Sequence, residues 1–264
     1  MASMGANRRR AAWRWGCLTI AASLAGLAGV PPSREVTALP QLVVWAWERP
    51  EDLSFLPPGV EVAVQTGFVE LSGEQVLARG RLFPLRLRGA PATAVVHVEI
   101  DRRRPLIWSH SQRAEAAAAV LSLGQQPWRR RLQLDFEVRR SEAPVLLGLL
   151  TDVRARLPPS VSLSMTAIAA WCETETWLRQ APVDEIVPML FRMGPRGGRL
   201  KATLAAGGDL AEPECRRAFA ISGDTPLRRA PAQRRIYLFS PHSWRAADFK
   251  RVREMVEGWA SAGG

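Results

Sequence analysis

Lysine, tyrosine and histidine are scarce in this chain. Only Lys201 and Lys250 are lysines, so arginine supplies 34 of the 36 basic residues. The formal net charge is +11, but the arginines are spread along the chain in short clusters. Nucleic-acid-binding domains usually gather lysine and arginine on one surface. The distribution therefore indicates a solvated arginine-rich surface, and we expect no nucleic-acid partner.

The chain also has little that would hold a metal ion or a nucleotide. Its three histidines and three cysteines show no C-x-x-C or Cys/His spacing of the kind that zinc sites use. Neither a G-x-G-x-x-G nor a G-x-x-x-x-G-K motif is present. We therefore expect no metal site and no cofactor. Cys172 and Cys215 could form one disulfide in an oxidising compartment, but the sequence leaves their pairing open.

The N-terminal apolar run is too short to be an ordinary membrane-spanning helix. Gly16–Gly29 has about 14 uncharged residues, whereas a spanning helix needs roughly 20. The run follows the basic residues Arg8–Arg10 and Arg14, which is the order found in a secretory signal peptide. We predict that residues 1–30 contact the export machinery as a signal peptide, with a retained membrane anchor as the alternative. The protein is then exported, and periplasmic or anchored in the inner membrane.

After a linker over residues 31–42, short apolar runs alternate with stretches of helical periodicity. Eight strands are predicted, at Val43–Glu48, Val60–Thr66, Ala94–Ile100, Leu132–Val138, Val161–Ile168, Glu185–Phe191, Ala218–Ser222 and Arg235–Ser240. Helices are predicted at Gln112–Leu123, Glu142–Leu157 and Trp244–Trp259. Strands that alternate with helices pair in parallel. Eight such strands in this length are typical of a (β/α)₈ barrel.

The fold class expected is α/β, an irregular TIM-like barrel over residues 43–262 with some helices short or missing. Phe68–Arg88 has no good helical pattern and predicts an inserted hairpin or irregular strand. Arg192–Leu210 and Asp224–Gln233 are rich in glycine and proline and leave room only for short helices. An open doubly wound sheet is the alternative, although no nucleotide-binding motif supports it.

The strand that contains Asp135 carries the strongest chemical signal. Side chains alternate along a strand, so Gln133, Asp135 and Glu137 share one face, opposite three apolar residues. In a barrel the polar face lines the interior and rises to the carboxyl end, where barrel enzymes keep their sites. The two carboxylates are about 7 Å apart and can divide acid and base roles. A buried polar network or a solvated pair is the alternative interpretation.

Further candidates lie on neighbouring strands. Glu99 shares the inward parity and is expected at the same end of the barrel. His97 lies one step lower, where a satisfied core histidine is favoured over a catalytic one. Ten tryptophans are present. Five of them fall near carboxyl ends of predicted strands, namely Trp45, Trp47, Trp108, Trp171 and Trp244. Flat aromatic faces beside carboxylates suit sugar rings, although each tryptophan can equally be core packing.

Four segments carry a family resemblance. They are QLDFE from Gln133, SLSMTAIAAW from Ser162, VDEIVPMLFRMG from Val183 and YLFSPHSW from Tyr237. In this order they resemble the bacterial family called domain of unknown function 3142, and the resemblance extends over Val43–Trp259. It implies a glycoside-hydrolase-type barrel. The family itself has no established activity.

A more distant similarity is to family 18 chitinases. Asp135-Phe136-Glu137 is similar to the end of their D-x-x-D-x-D-x-E motif, which implies Glu137 as proton donor and Asp135 as the residue that orients the substrate. Met189–Arg192 is similar to their M-x-Y-D. Gln133 replaces the middle aspartate, and Arg192 reverses the charge of the last one.

The sequence thus predicts an envelope protein that acts on or binds carbohydrate. Glu137 and Asp135 are the candidate catalytic residues, since paired carboxylates are the minimum for glycoside hydrolysis. The substrate-binding candidates are Gln133, Glu99, Trp45, Trp171, Arg192 and Trp244. The alternative is a non-catalytic glycan-binding or envelope interaction protein on the same scaffold. A third, weaker hypothesis is an arginine-lined site for an anion, using Arg102–Arg104, Arg139, Arg140 and Arg192.

Overall fold

The computed structural model describes residues 42–195, 197–225, 227–231 and 234–261. The predicted signal peptide or anchor over residues 1–30 lies outside them, as does the linker apart from Leu42.

Eight strands form a closed parallel barrel. They are β1 (Leu42–Ala46), β3 (Glu61–Ser72), β6 (Thr93–Ile100), β7 (Arg131–Asp135), β8 (Ser162–Ile168), β9 (Glu185–Met189), β10 (Ala218–Ser222) and β11 (Arg235–Phe239). Each pairs in parallel with both neighbours, and β1 closes the sheet by pairing with β3 and with β11. The eight predicted strands are confirmed, and the open doubly wound sheet is excluded.

Helices are few, so strands dominate this α/β barrel-like fold. The described helices are α1 (His110–Leu123), α2 (Ala143–Arg156), α3 (Trp171–Thr174), α4 (Gly197–Ala205) and α5 (Ala246–Ser261). The helices α1, α2 and α5 are those that the periodicity predicts. The other two, α3 and α4, have 4 and 9 residues. The short length of α4 agrees with the glycine and proline of the connection after β9.

The predicted hairpin is present, and β3 continues to Ser72, beyond the predicted strand end at Thr66. β3 turns at Gly73 into β4 (Gln75–Gly80), which pairs antiparallel with it. β1 pairs with β3 only as far as Val64, whereas β3 and β6 stay paired up to Leu71 and Ile100. The three strands β4, β3 and β6 therefore rise beyond the rim of the barrel as a wall. A separate two-stranded sheet joins β2 (Glu51–Asp52) and β5 (Leu85–Arg86).

Strand alternation divides the core into two layers. Leu132, Leu134 and Phe136 pack outside the barrel with the apolar faces of the helices. Inside the barrel lies a smaller apolar cluster built on β1, β9, β10 and β11, which includes Trp45, Tyr237 and Phe239. The alternation predicted for β7 is therefore confirmed.

The amino end of the barrel interior is filled by charged residues that begin four of the strands. Arg235 donates to Glu185 Oε2 at 2.6 Å, and the Tyr237 hydroxyl donates to Glu185 Oε1 at 2.7 Å. Arg131 lies between Glu185 and Glu61, with nitrogen–oxygen distances of 3.7 Å to each. Burial and the neighbouring charge of Glu185 raise the pKa of Tyr237 far above its ordinary value. Two carboxylates and two guanidiniums thus neutralise each other where water is excluded.

Candidate functional site

The carboxyl mouth, the end of the barrel at which its strands finish, holds a polar cluster on β6, β7 and β8. Asp135 is its centre and is 3% exposed. Its Oδ1 accepts a hydrogen bond from the Thr166 hydroxyl at 2.6 Å, and its Oδ2 lies 2.7 Å from His97 Nδ1. His97 and Asp135 are register partners on adjacent parallel strands. The carboxylate is therefore held between two fixed side chains.

The electrostatics of His97 follow from this arrangement. Burial by itself would lower the pKa of the imidazole, because it disfavours the charged form. The hydrogen bond to Asp135 and the charges of Asp135, Glu99 and Glu137 act in the opposite direction and leave the pKa of His97 raised. The ring is also packed against Phe68, with centroids 4.8 Å apart. His97, which the sequence favoured as a core residue, thus belongs to the polar cluster of the mouth.

Glu137 lies just beyond the end of β7 and is engaged by a cation. Its Oε2 forms an ion pair with the Arg192 guanidinium, which follows β9. The carboxylate is 30% exposed and the guanidinium 56%, so both remain accessible from solvent. Arg192 therefore occupies the carboxylate oxygen that a general acid would have to present to a substrate.

Glu99 lies on the wall above the mouth. Together with Asp135 and Glu137 it forms a group of carboxylates that we call the acidic row. It is exposed and lies opposite Glu70 in the register of β3 and β6. Its charge is close enough to raise the pKa of His97. Like charges opposite each other on neighbouring strands destabilise the sheet slightly. The mouth is therefore acidic on the side of β3, β6 and β7.

The opposite side of the mouth is an aromatic pocket of about 350 Å³. Trp47, Phe191 and Phe239 form its apolar wall, with centroid distances of 5.6 Å and 4.9 Å from Phe239 to the other two. Its polar lining is Arg49, Ser222, Asp224, Thr225 and Ser240. Arg49 is fixed there by Glu51 at 2.7 Å and by the carbonyl of Ser240 at 2.9 Å. Ligand pockets commonly combine such an apolar wall with a few polar groups.

Two predicted site residues lie deeper in the barrel. Gln133 is fully buried and donates from Nε2 to the Ser164 hydroxyl at 2.9 Å. Trp45 is also fully buried and stacks on Phe239, with centroids 4.4 Å apart. Both support the floor of the mouth from below.

The remaining predicted tryptophans are not brought to the mouth. Trp171 begins α3 and packs edge-on against Trp177 in the outer apolar layer. Trp244 lies in the same outer layer and donates from Nε1 to the Trp45 carbonyl at 3.0 Å. The structure therefore gives both residues packing contacts and leaves Trp47, which follows β1, as the tryptophan of the pocket.

The arginine-lined anion site receives no support from the geometry. Four of its proposed members pair with carboxylates of this chain. They are Arg102 with Glu142, Arg103 with Asp101, Arg140 with Glu175 and Arg192 with Glu137. Their charge is therefore offset within the protein.

Several residues of the mouth were not among the predicted catalytic and substrate-binding residues. His97 shares the inward parity of Glu99, and this signal was present in the sequence. Phe239 and Asp224 carried no comparable signal, because their approach to Trp47 depends on barrel closure.

Within the described part of the chain, no group of three histidine, cysteine or acidic residues is arranged for a metal ion. Nor does any described helix have the length and apolar character needed to span a membrane.

Comparison with known protein families, with curated proteins and with solved structures found no match.

Proposed function

We propose that this protein is an exported, trimmed TIM-like barrel that binds carbohydrate at its carboxyl mouth. The observation that carries the proposal is the division of the mouth into two halves. An aromatic wall of Trp47, Phe191 and Phe239 faces the pocket, and hydrogen-bonding groups stand on β6, β7 and β8. Aromatic faces suit the C–H side of a sugar ring, while carboxylates and hydroxyls suit its hydroxyl groups.

The size of the pocket is consistent with a small ligand group. A volume of about 350 Å³ is at the lower end of the range for small-molecule sites, which is roughly 300–1,000 Å³. It therefore suits one or two sugar rings, with the rest of a chain lying along the wall of β3, β4 and β6.

Export is supported by the disulfide between Cys172 and Cys215. The bond joins α3 to the turn Pro213–Arg216, and both cysteines are buried. Disulfides form and persist in oxidising compartments such as the bacterial periplasm. This agrees with the basic and apolar pattern of residues 1–30.

Binding is favoured over hydrolysis by the ion pair of Glu137 with Arg192. Hydrolysis is the second candidate, and it is favoured by the presence of Asp135 and Glu137 two residues apart at the end of one strand. Asp135 would then orient the substrate and Glu137 would donate the proton once a bound sugar displaces Arg192.

The test is a binding and cleavage screen of the protein on a glycan panel, with Glu137→Gln and Arg192→Gln as variants. Saturable glycan binding without product, retained in Glu137→Gln, supports the binding function. Product formation that Glu137→Gln abolishes and Arg192→Gln preserves supports hydrolysis instead. Failure of every glycan to bind contradicts both proposals.

A further inference from the structure

The imidazole of His97 is held in one orientation from two sides. Asp135 pairs with its Nδ1 atom at 2.7 Å, and Phe68 packs on its face. The guanidinium of Arg79 covers Phe68 in turn, with its carbon 4.9 Å from the ring centre. These residues form a continuous row across β4, β3, β6 and β7, so the imidazole cannot turn without breaking several contacts.

The hydrogen on Nδ1 follows from the partners of Asp135. Oδ1 already accepts from Thr166, and Oδ2 faces His97, so Nδ1 acts as the donor. Nε2, on the other edge of the ring, has no hydrogen-bond partner among the described residues. The side chain is 24% exposed. Nε2 is therefore open to a molecule at the mouth.

The charged groups that surround this ring are largely acidic. They are Glu99 on β6, Asp135 on β7, Glu137 just beyond β7, Glu70 on β3, Arg79 on β4 and Arg192 beyond β9. Two of the glutamates, Glu99 and Glu137, act directly to favour the charged imidazole. Arg79 and Arg192 are themselves engaged, by Glu48 and Glu137. The surroundings favour an imidazolium with a hydrogen on Nε2 and disfavour a bound anion.

We propose that His97 contacts the bound carbohydrate by donating a hydrogen bond from Nε2 to one of its oxygens, with Asp135 as the positioning residue. This inference rests on the proposed glycan binding. Because the acidic row repels anions, the acceptor is a neutral oxygen of a hydroxyl, ring or amide group. It is not a uronic acid carboxylate.

The experiment measures affinity by calorimetry from about pH 5 to about pH 9, a range that brackets the ordinary pKa of histidine. The full chain is produced by export so that its disulfide forms. The ligands are neutral oligosaccharides from the panel and uronic acid versions of the same length. His97→Asn retains a donor near the position of Nδ1 but lacks Nε2. His110→Asn, which removes an exposed histidine of α1, is the matched control.

The wild type and His110→Asn are expected to lose about tenfold or more in affinity for a neutral glycan as the pH rises through the pKa of His97. His97→Asn should bind weakly at every pH. Asp135→Asn should move the midpoint of the pH dependence to lower pH, because it removes the charge that favours the imidazolium. A purely structural role for the pair would not produce that shift.

Three outcomes overturn the inference, and they differ in whether they also overturn the proposed function. Glycan binding that is independent of pH and unchanged in His97→Asn overturns the role of His97 alone. Tighter binding of uronic acids than of neutral glycans overturns the neutral acceptor. If no glycan binds at any pH, the proposed function fails and this inference fails with it.

Discussion

The Nδ1 atom of His97 lies 2.7 Å from Oδ2 of Asp135, and the two residues occupy partner positions on adjacent parallel strands. Thr166 on the third strand holds the other carboxylate oxygen. The sequence distance between His97 and Asp135 is 38 residues, so only the strand register brings them together. Because this contact raises the pKa of His97 in the folded protein, we expect it to make the stability of the free protein depend on pH.

The contribution of this pair to stability should fall as the pH rises. The pKa of His97 is raised in the folded protein above the ordinary value of 6.5. Stability from such a group is fully present below the unfolded pKa and is lost as the pH rises through the folded pKa. We therefore expect the free energy of unfolding of the wild type to exceed that of His97→Asn at low pH, with the difference shrinking above neutrality. Urea unfolding of both proteins over a pH series measures this, and a difference that grows with pH would contradict it.

Two isosteric substitutions should show that a buried ion pair contributes more to the free energy of unfolding than an exposed one. Glu185→Gln leaves Arg235 without a compensating charge inside the barrel and leaves Arg131 only Glu61. Breaking a buried pair in this way typically costs about 3–5 kcal/mol. Glu137→Gln breaks a partly exposed pair with Arg192, and such pairs contribute about 0–1 kcal/mol. Denaturant unfolding of the two variants gives the comparison. Equal losses of unfolding free energy would show that water reaches the ion pairs at the amino end of the barrel.

Reduction of the disulfide should destabilise the fold strongly. Cys172 and Cys215 are separated by 43 residues, and the chain-entropy model assigns a loop of this size about 4 kcal/mol. The double variant Cys172→Ala/Cys215→Ala should match the reduced wild type in its unfolding midpoint. A midpoint that reductant leaves unchanged in the wild type would mean that the bond adds nothing to stability.

The aromatic wall should carry much of the affinity for a glycan. Trp47 is half-buried and borders the pocket with Phe239, so Trp47→Ala removes contact area without opening the core. We expect an affinity loss of about tenfold or more, measured by calorimetry on the ligand that the panel identifies. Trp128→Ala, which alters a half-buried tryptophan before β7 at the other end of the barrel, is the control. Equal losses in the two variants would point to destabilisation rather than recognition.

Local pattern was sufficient for the presence of the eight barrel strands, for three helices and for the direction of the β7 side chains. A strand has a period of two residues, so the alternation of Gln133 and Asp135 with Leu132 and Leu134 assigns the faces before any partner is known. Glycine and proline likewise predicted the short helices after β9. The length of the wall was not predicted, because β3 continues through the irregularity at Gly67, where pairing with β6 replaces local preference.

Tertiary structure alone decided which side chains meet at the mouth. Sequence parity placed His97, Asp135 and Glu137 on inward faces, but the partner of each depends on strand register and on barrel closure. Closure brings Phe239 of the last strand to Trp45 of the first. The pairing of β8 with both β7 and β9 brings Arg192 to Glu137 across 55 residues. Trp171 and Trp244 pack in the outer apolar layer. Their positions could not be predicted, because the residues that follow a strand can turn to either layer. The sequence by itself indicated eight parallel strands and the inward faces of the carboxylates, because local periodicity carries both. Long-range packing decided the closure of the barrel and the hydrogen-bond and charge partners of those carboxylates.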